Sequence, residues 1–154
     1  MKIRIPDAAA MEALGAQLAA AHSPGIIYLQ GELGAGKTTL VRGLLRELGC
    51  RDRVRSPTYT LVEPYLLGAV HVYHLDLYRL AAPEELEWLG LRDMLSERAL
   101  LLVEWPEQGA GVLPDPDLGI LIEYAGSGRS VTLTSATTAG ARLLAGVHEP
   151  AATP

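Results

Sequence analysis

The chain has no asparagine, one cysteine and only two lysines, Lys2 and Lys37. With Cys50 as the single thiol, no internal disulfide forms, which points to a reducing cytosol. No apolar run is long enough to cross a bilayer, and Met1-Lys2-Ile3-Arg4 does not lead into the apolar core of a signal peptide. The expectation is a cytoplasmic protein with no membrane contact. Basic residues are also few: 13 against 18 acidic residues leave a net charge of −5, the reverse of a dedicated nucleic-acid binder. Charged residues are 20% and hydrophobic residues 49% of the total, which excludes a disordered chain, a collagen or a coiled coil. The 154 residues are one domain's worth, able to bury roughly 70% of their unfolded surface without a staple. Residues 1–147 are read as that domain and 148–154 as a frayed, disordered tail.

Ile3 and Ile5 alternate with polar residues as in a short strand, and Asp7 can cap a helix from Ala8 to Ala21. Ile26 to Leu29 is a compact apolar strand, followed by a glycine-rich loop and a helix over Thr38 to Leu48 that Gly49 ends. Thr60 to Tyr65 and Ala69 to Leu77 read as an antiparallel hairpin turning through Leu66-Leu67-Gly68. Pro83 to Leu95 suits a helix that Gly90 bends or divides. Ala99 to Val103 is a continuous apolar run, as in a strand covered on both faces. Ile120 to Tyr124 and Val131 to Thr134 flank Gly126-Ser127-Gly128 as a second hairpin, and Thr138 to Val147 reads as a weak helix. The expected fold class is α/β: a three-layer, P-loop NTPase-like domain with a mixed central sheet and two antiparallel hairpins.

Gly31-Glu32-Leu33-Gly34-Ala35-Gly36-Lys37-Thr38 matches the phosphate-binding pattern G-x-x-x-x-G-K-[ST]. A polyphosphate packs several negative charges together, and backbone N–H groups surround it only where the chain curls without side chains in the way. Glycines 31, 34 and 36 allow that curl. The helix that follows turns the positive end of its dipole toward the phosphates. Lys37 then brings a full charge to the β and γ phosphates, and the Thr38 hydroxyl can hold Mg2+. The alternative is coincidence in a glycine-rich chain, and this composition yields about 2 such matches per 1,000 chains. The preceding apolar strand and the following helix supply the context the motif requires.

Guanine readers of this class use an Asn-Lys-x-Asp element. Without any Asn, and with no Lys after Lys37, the chain cannot contain one, so ATP is the expected nucleotide. Arg129, placed in a Gly128-Arg129-Ser130 turn, could stack on adenine or remain solvated. Two acids could hold the metal or its waters: Glu104, ending the run Leu100-Leu101-Leu102-Val103, and Asp76 in His74-Leu75-Asp76-Leu77. Ser56-Pro57-Thr58-Tyr59 lies where P-loop switches sense the γ phosphate, or forms an ordinary turn. No arginine occupies an obvious finger position: Arg55 and Arg79 are candidates, and Arg79 could equally pair with Glu85. The basic run Arg51, Arg53 and Arg55 reads as a solvated loop in preference to a tRNA or partner contact. Trp88 reads as packing or partner surface, and Trp105, beside Glu104, as a reporter of nucleotide.

Four segments occur in order: Gly-Glu-Leu-Gly-Ala-Gly-Lys-Thr-Thr at 31–39, Ser-Pro-Thr-Tyr-Thr-Leu-Val-Glu-Pro-Tyr at 56–65, His-Leu-Asp-Leu-Tyr-Arg-Leu at 74–80 and Leu-Val-Glu-Trp-Pro-Glu at 102–107. With them, across residues 2 to 135, the chain resembles the TsaE family, small ATPases of bacterial tRNA threonylcarbamoyladenosine biosynthesis. The resemblance implies an ATPase that docks on the TsaB–TsaD pair and resets this threonylcarbamoyl transferase between turnovers; the missing arginine finger predicts that it is slow alone and stimulated by these partners, and a monomer is expected when it is alone. The tRNA is then met only through that complex. It further implies that Gly31, Gly34, Ala35, Gly36, Lys37, Thr38, Thr39 and Arg129 bind ATP or ADP, that Thr38 and Glu104 bind Mg2+, and that Lys37 and Asp76 serve hydrolysis. Two other classes stay open on the residues alone: a small-molecule P-loop kinase, which needs an acceptor pocket and a lid, and a nucleotide-gated binding module that releases no phosphate.

Overall fold

The computed structural model describes residues 1–21 and 23–150. Seven strands form one sheet in the order β1-β7-β6-β2-β5-β4-β3. They are β1 (Lys2–Ile5), β2 (Gly25–Gln30), β3 (Val62–Leu67), β4 (Val70–Asp76), β5 (Ala99–Glu104), β6 (Leu118–Ala125) and β7 (Gly128–Ser135). The centre is parallel, β6-β2-β5-β4, and the flanks are antiparallel, β3 on β4 and β1-β7-β6. The sheet is therefore mixed and carries both expected hairpins. All six residues of β5 are buried, which explains why its sequence is an unbroken apolar run rather than an alternation.

Helices cover both faces. On one lie α1 (Ala8–Ala19), α2 (Lys37–Glu47) and α5 (Thr138–Leu144), whose Met11, Leu40, Leu44 and Leu143 share a core with Ile27, Leu102 and Ile120. On the other lie the short helices α3 (Glu85–Trp88) and α4 (Leu91–Ser96), whose Leu86, Leu91 and Met94 pack with Leu75, Leu101 and Val103. Gly90, at φ +86°, divides α3 from α4 because a left-handed residue cannot continue a right-handed helix. Trp88 stands 90% exposed on α3, so it is surface and not packing.

The first hairpin turns just beyond the expected Leu66-Leu67-Gly68, and the second turns within the expected Gly126-Ser127-Gly128. The first closes through Gly68-Ala69, with Leu67 opposite Val70, and the second through Gly126-Ser127. Glycine at positive φ opens each two-residue loop, the backbone such tight turns need. Strand β3 starts only at Val62, because Leu61 at φ +66° breaks the extended chain. Residues 148 and 149 do not fray: the His148 amide donates to Gln17 Oε1, and Glu149 Oε1 accepts from the Arg4 amide. Residues 151–154 of the expected tail lie outside the described residues.

The helix that follows the glycine loop is held by close backbone contact. A Cβ at Gly15 would lie 2.1 Å from the Leu40 carbonyl oxygen, and one at Gly43 would lie 2.0 Å from that of Glu12. Each of α1 and α2 thus gives the other a side-chain-free patch, and Arg46 crosses to Glu12 at 3.3 Å. Gly43→Ala should force the helices apart and destabilise the fold by about 1–3 kcal/mol, read as a lower urea midpoint. An unchanged midpoint would contradict this packing.

Candidate functional site

The C-terminal ends of the parallel strands converge on one cleft, as in open α/β sheets generally. Strand β2 ends at Gln30 and gives way to the glycine loop. Asp76 closes β4 and Glu104 closes β5, and the two are direct partners in the strand register. Parallel pairing thus sets the two acids side by side, with α2 starting above them. The cleft holds about 490 Å³ and is lined by the loop residues 33–39 together with Ser56, Thr58, Asp76, Tyr78, Arg79, Glu104 and Trp105. That volume suits a small organic ligand.

The loop has the curl a polyphosphate needs. Gly34 at φ +78° and Gly36 at φ +119° adopt a backbone that residues with a Cβ rarely enter. At Gly31 a Cβ would fall 2.6 Å from the Ile122 carbonyl oxygen, so β6 presses directly on the loop. Lys37 opens α2, is buried, and donates from Nζ to the Gly31 carbonyl and to that of Glu32 at 3.0 Å. Its ammonium also lies 4.1 Å from the centre of the Trp105 ring, a cation–π contact. Burial pulls the Lys37 pKa below its ordinary value, while the nearby carboxylates of Glu104, Asp76 and Glu107 pull it back up. Trp105 reaches this position through left-handed backbone, φ +56°, immediately after Glu104.

The acids are individually fixed. Thr38 Oγ1 lies 3.1 Å from both carboxylate oxygens of Glu104. His74 Nε2 lies 2.6 Å from Glu104 Oε2, with both side chains buried. Asp76 accepts from the Ser56 hydroxyl at Oδ2 and from the Tyr78 amide, at 3.0 Å, at Oδ1. The segment 56–59 is therefore tied to the site through Ser56, beyond serving as a turn. Arg79 does not pair with Glu85: its guanidinium sits 4.8 Å from the ring centre of the exposed Tyr59, while Glu85 accepts from the Ala82 amide. Arg51, Arg53 and Arg55 are all exposed.

Arg129 belongs to β7, opposite Tyr124, and not to the turn. Its Nε donates to the Ala35 carbonyl at 2.9 Å, and its guanidinium lies 4.3 Å from the Tyr124 ring centre. Tyr124 donates in turn to the Leu33 carbonyl at 2.8 Å. The second hairpin thus braces the outer wall of the loop. Beside it opens a second hollow of about 150 Å³, between Ile5–Ala8, the loop and Arg129. Thr39 lines both hollows.

Two features escaped the sequence reading. His74 received no role, although it shares the inward face of β4 with Asp76, two residues on. Tyr124 received none because only strand pairing brings it under the loop. Of the other predicted residues, Gly34 to Thr39, Asp76 and Glu104 line one cleft, and Gly31 is joined to it through the bond its carbonyl accepts from Lys37.

Comparison with known proteins places this arrangement in a family. The family model described as threonylcarbamoyl adenosine biosynthesis protein TsaE matches residues 5–131. The chain is 47% identical over 119 residues to the tRNA threonylcarbamoyladenosine biosynthesis protein TsaE of Haemophilus influenzae, covering 77% of this chain and 75% of that protein. It is 36% identical over 137 residues to the protein of the same name from Bacillus subtilis, covering 88% and 85%. The crystal structure of Bacillus subtilis YdiB superposes with a TM-score of 0.77 at 30% identity, covering 94% of this chain and 91% of that one. By sequence across most of its length and by fold, this chain belongs to the TsaE family.

Proposed function

We infer that this protein is a magnesium-dependent ATPase serving tRNA threonylcarbamoyladenosine biosynthesis. It binds ATP, hydrolyses it to ADP and phosphate, and uses the cycle to reset the TsaB–TsaD transferase pair. The observation that carries the reading is Thr38 Oγ1 at 3.1 Å from both oxygens of Glu104, directly beneath the glycine loop. A hydroxyl at the start of a helix and a carboxylate at the end of a buried strand make an all-oxygen donor pair, which suits Mg2+. The surroundings fit the nucleotide too, since the loop offers backbone N–H groups where side chains would clash. When bound there, Mg2+ would be held by Thr38 and Glu104 and would neutralise phosphoryl charge.

The chain's own residues divide the remaining work. The amides of residues 34–39 and the dipole of α2 hold the phosphates. Lys37, already inside the loop, needs only to exchange carbonyl partners for phosphoryl oxygens. Thr39 joins the two hollows, which supports phosphates in the larger one and the base toward Ile5–Ala8 in the smaller. On that layout Arg129 acts mainly by holding Gly34 and Ala35 in place. Asp76, held at both oxygens, orients the attacking water; a loose phosphoryl-transfer transition state asks more for position than for a strong base.

Hydrolysis by the protein alone should be slow. The arginine that lines the cleft, Arg79, has its guanidinium over Tyr59, and an absent arginine finger costs on the order of 10³–10⁵ in rate. Partner docking is therefore assigned the role of completing the site. The chain between α2 and β3 is a short loop, residues 49–61, without the helical lid a kinase would use, which favours water as the acceptor.

Lys37→Ala should abolish turnover and weaken ADP binding, whereas Asp76→Ala should keep ADP affinity and lose most of its partner-stimulated turnover. Calorimetry and phosphate release separate these effects, and equal loss of both in Asp76→Ala would reassign Asp76 to metal or structure. In Trp88→Phe, the remaining Trp105 should change its emission when ADP and Mg2+ are added. Constant emission would contradict a phosphate site beside Lys37.

A further inference from the structure

We propose that His74 is a positioning residue that fixes the carboxylate of Glu104 for the metal, a role that rests on the nucleotide reading above. Strand β4 alternates Val72, His74 and Asp76 onto the face toward α2, all buried. His74 pairs with Leu102 in the parallel register, so Glu104 lies two residues further along the neighbouring strand on that same face. The imidazole therefore meets Glu104 diagonally, Nε2 to Oε2 at 2.6 Å.

The other ring nitrogen decides what this contact is. His74 is fully buried, and its Nδ1 has no hydrogen-bond partner among the described residues. A structural histidine normally satisfies both nitrogens, and an apolar residue at a site like this one would avoid the cost of a buried unpaired polar atom. The single bond that His74 makes goes to the acid of the site. A carboxylate oxygen accepts, so Nε2–H is the donor to Oε2, and Nδ1 faces no hydrogen-bond partner among the described residues. Held by the ring on one side and Thr38 on the other, the Glu104 carboxylate is fixed in its rotation. With Oε2 capped by the ring, Oε1 is the oxygen left for metal, or for a water on the metal, next to Thr38 Oγ1.

His74 thus differs from a catalytic residue. It does not line the cleft, and its effect reaches the reaction through Glu104. Loss of an outer partner of this kind typically weakens metal affinity by about 10–100-fold. The weakening should be specific to the metal, since the glycine loop and Lys37 are untouched.

The test compares His74→Leu, which fills the space without a donor, with His74→Gln, whose amide nitrogen can occupy the place of Nε2. Thermal denaturation is followed with ADP over a range of Mg2+ concentrations, and with ADP and a chelator. The Mg2+ concentration giving half of the ADP-induced stabilisation should rise about tenfold or more in His74→Leu and stay within about threefold of the native value in His74→Gln. ADP binding under chelator should be equal in all three proteins. A native Mg2+ dependence in His74→Leu, or a loss in His74→Gln as large as in His74→Leu, would overturn the proposal while leaving the nucleotide site intact. If His74→Leu does not fold, His74→Met supplies the donor-free arm under the same criteria. No Mg2+ effect on ADP binding by the unaltered protein would overturn both the site and the role of His74.

Discussion

The junction between the start of α2 and the end of β5, where Thr38 meets Glu104, is the contact on which the remaining architecture converges. A helix N-terminus and a buried strand end must lie within hydrogen-bonding distance, and neither can adjust alone. Strand β5 is fixed by parallel pairing to β2 and β4. Helix α2 is fixed by α1, through glycines that let the two backbones touch. The loop between β2 and α2 then has one path available, and the second hairpin closes it from outside through Arg129 and Tyr124. The cleft is therefore built almost entirely from backbone placement.

The same economy explains the division of the sheet. Its parallel centre presents strand ends to the ligand, and its antiparallel flanks support them. Strand β3 with the segment before it delivers Ser56 to Asp76, while β6 and β7 support the loop. The aromatic residues Tyr59 and Trp88 are exposed, and Tyr59 carries the Arg79 guanidinium over its ring. The TsaE family model spans this arrangement, from the end of β1 into β7.

Much of this could be read before any coordinates. The phosphate loop announces itself because its constraints are local: glycines where Cβ atoms cannot fit, then a lysine and a hydroxyl at the first turn of a helix. Strand β5 is equally plain, since burial on both faces removes the polar half of the alternation. Other features resisted because they depend on pairing across long stretches of chain. Nothing near Arg129 says that β7 passes beneath the loop, so its placement in a turn was a local reading of a distant contact. Leu61 and Trp105 adopt left-handed backbone without being glycine, and no composition rule signals that. His74 was visible as an inward-facing polar residue, but its meaning required knowing that Glu104 lies diagonally across the neighbouring strand.

The central claim is that this cleft holds adenine nucleotide phosphates with magnesium, and titration calorimetry on the unaltered protein tests it most directly. ADP with Mg2+ should bind at a single site per chain, more tightly than ADP with a chelator. Absence of heat with either form, on protein shown to be folded and in the presence or absence of the TsaB–TsaD pair, would contradict it.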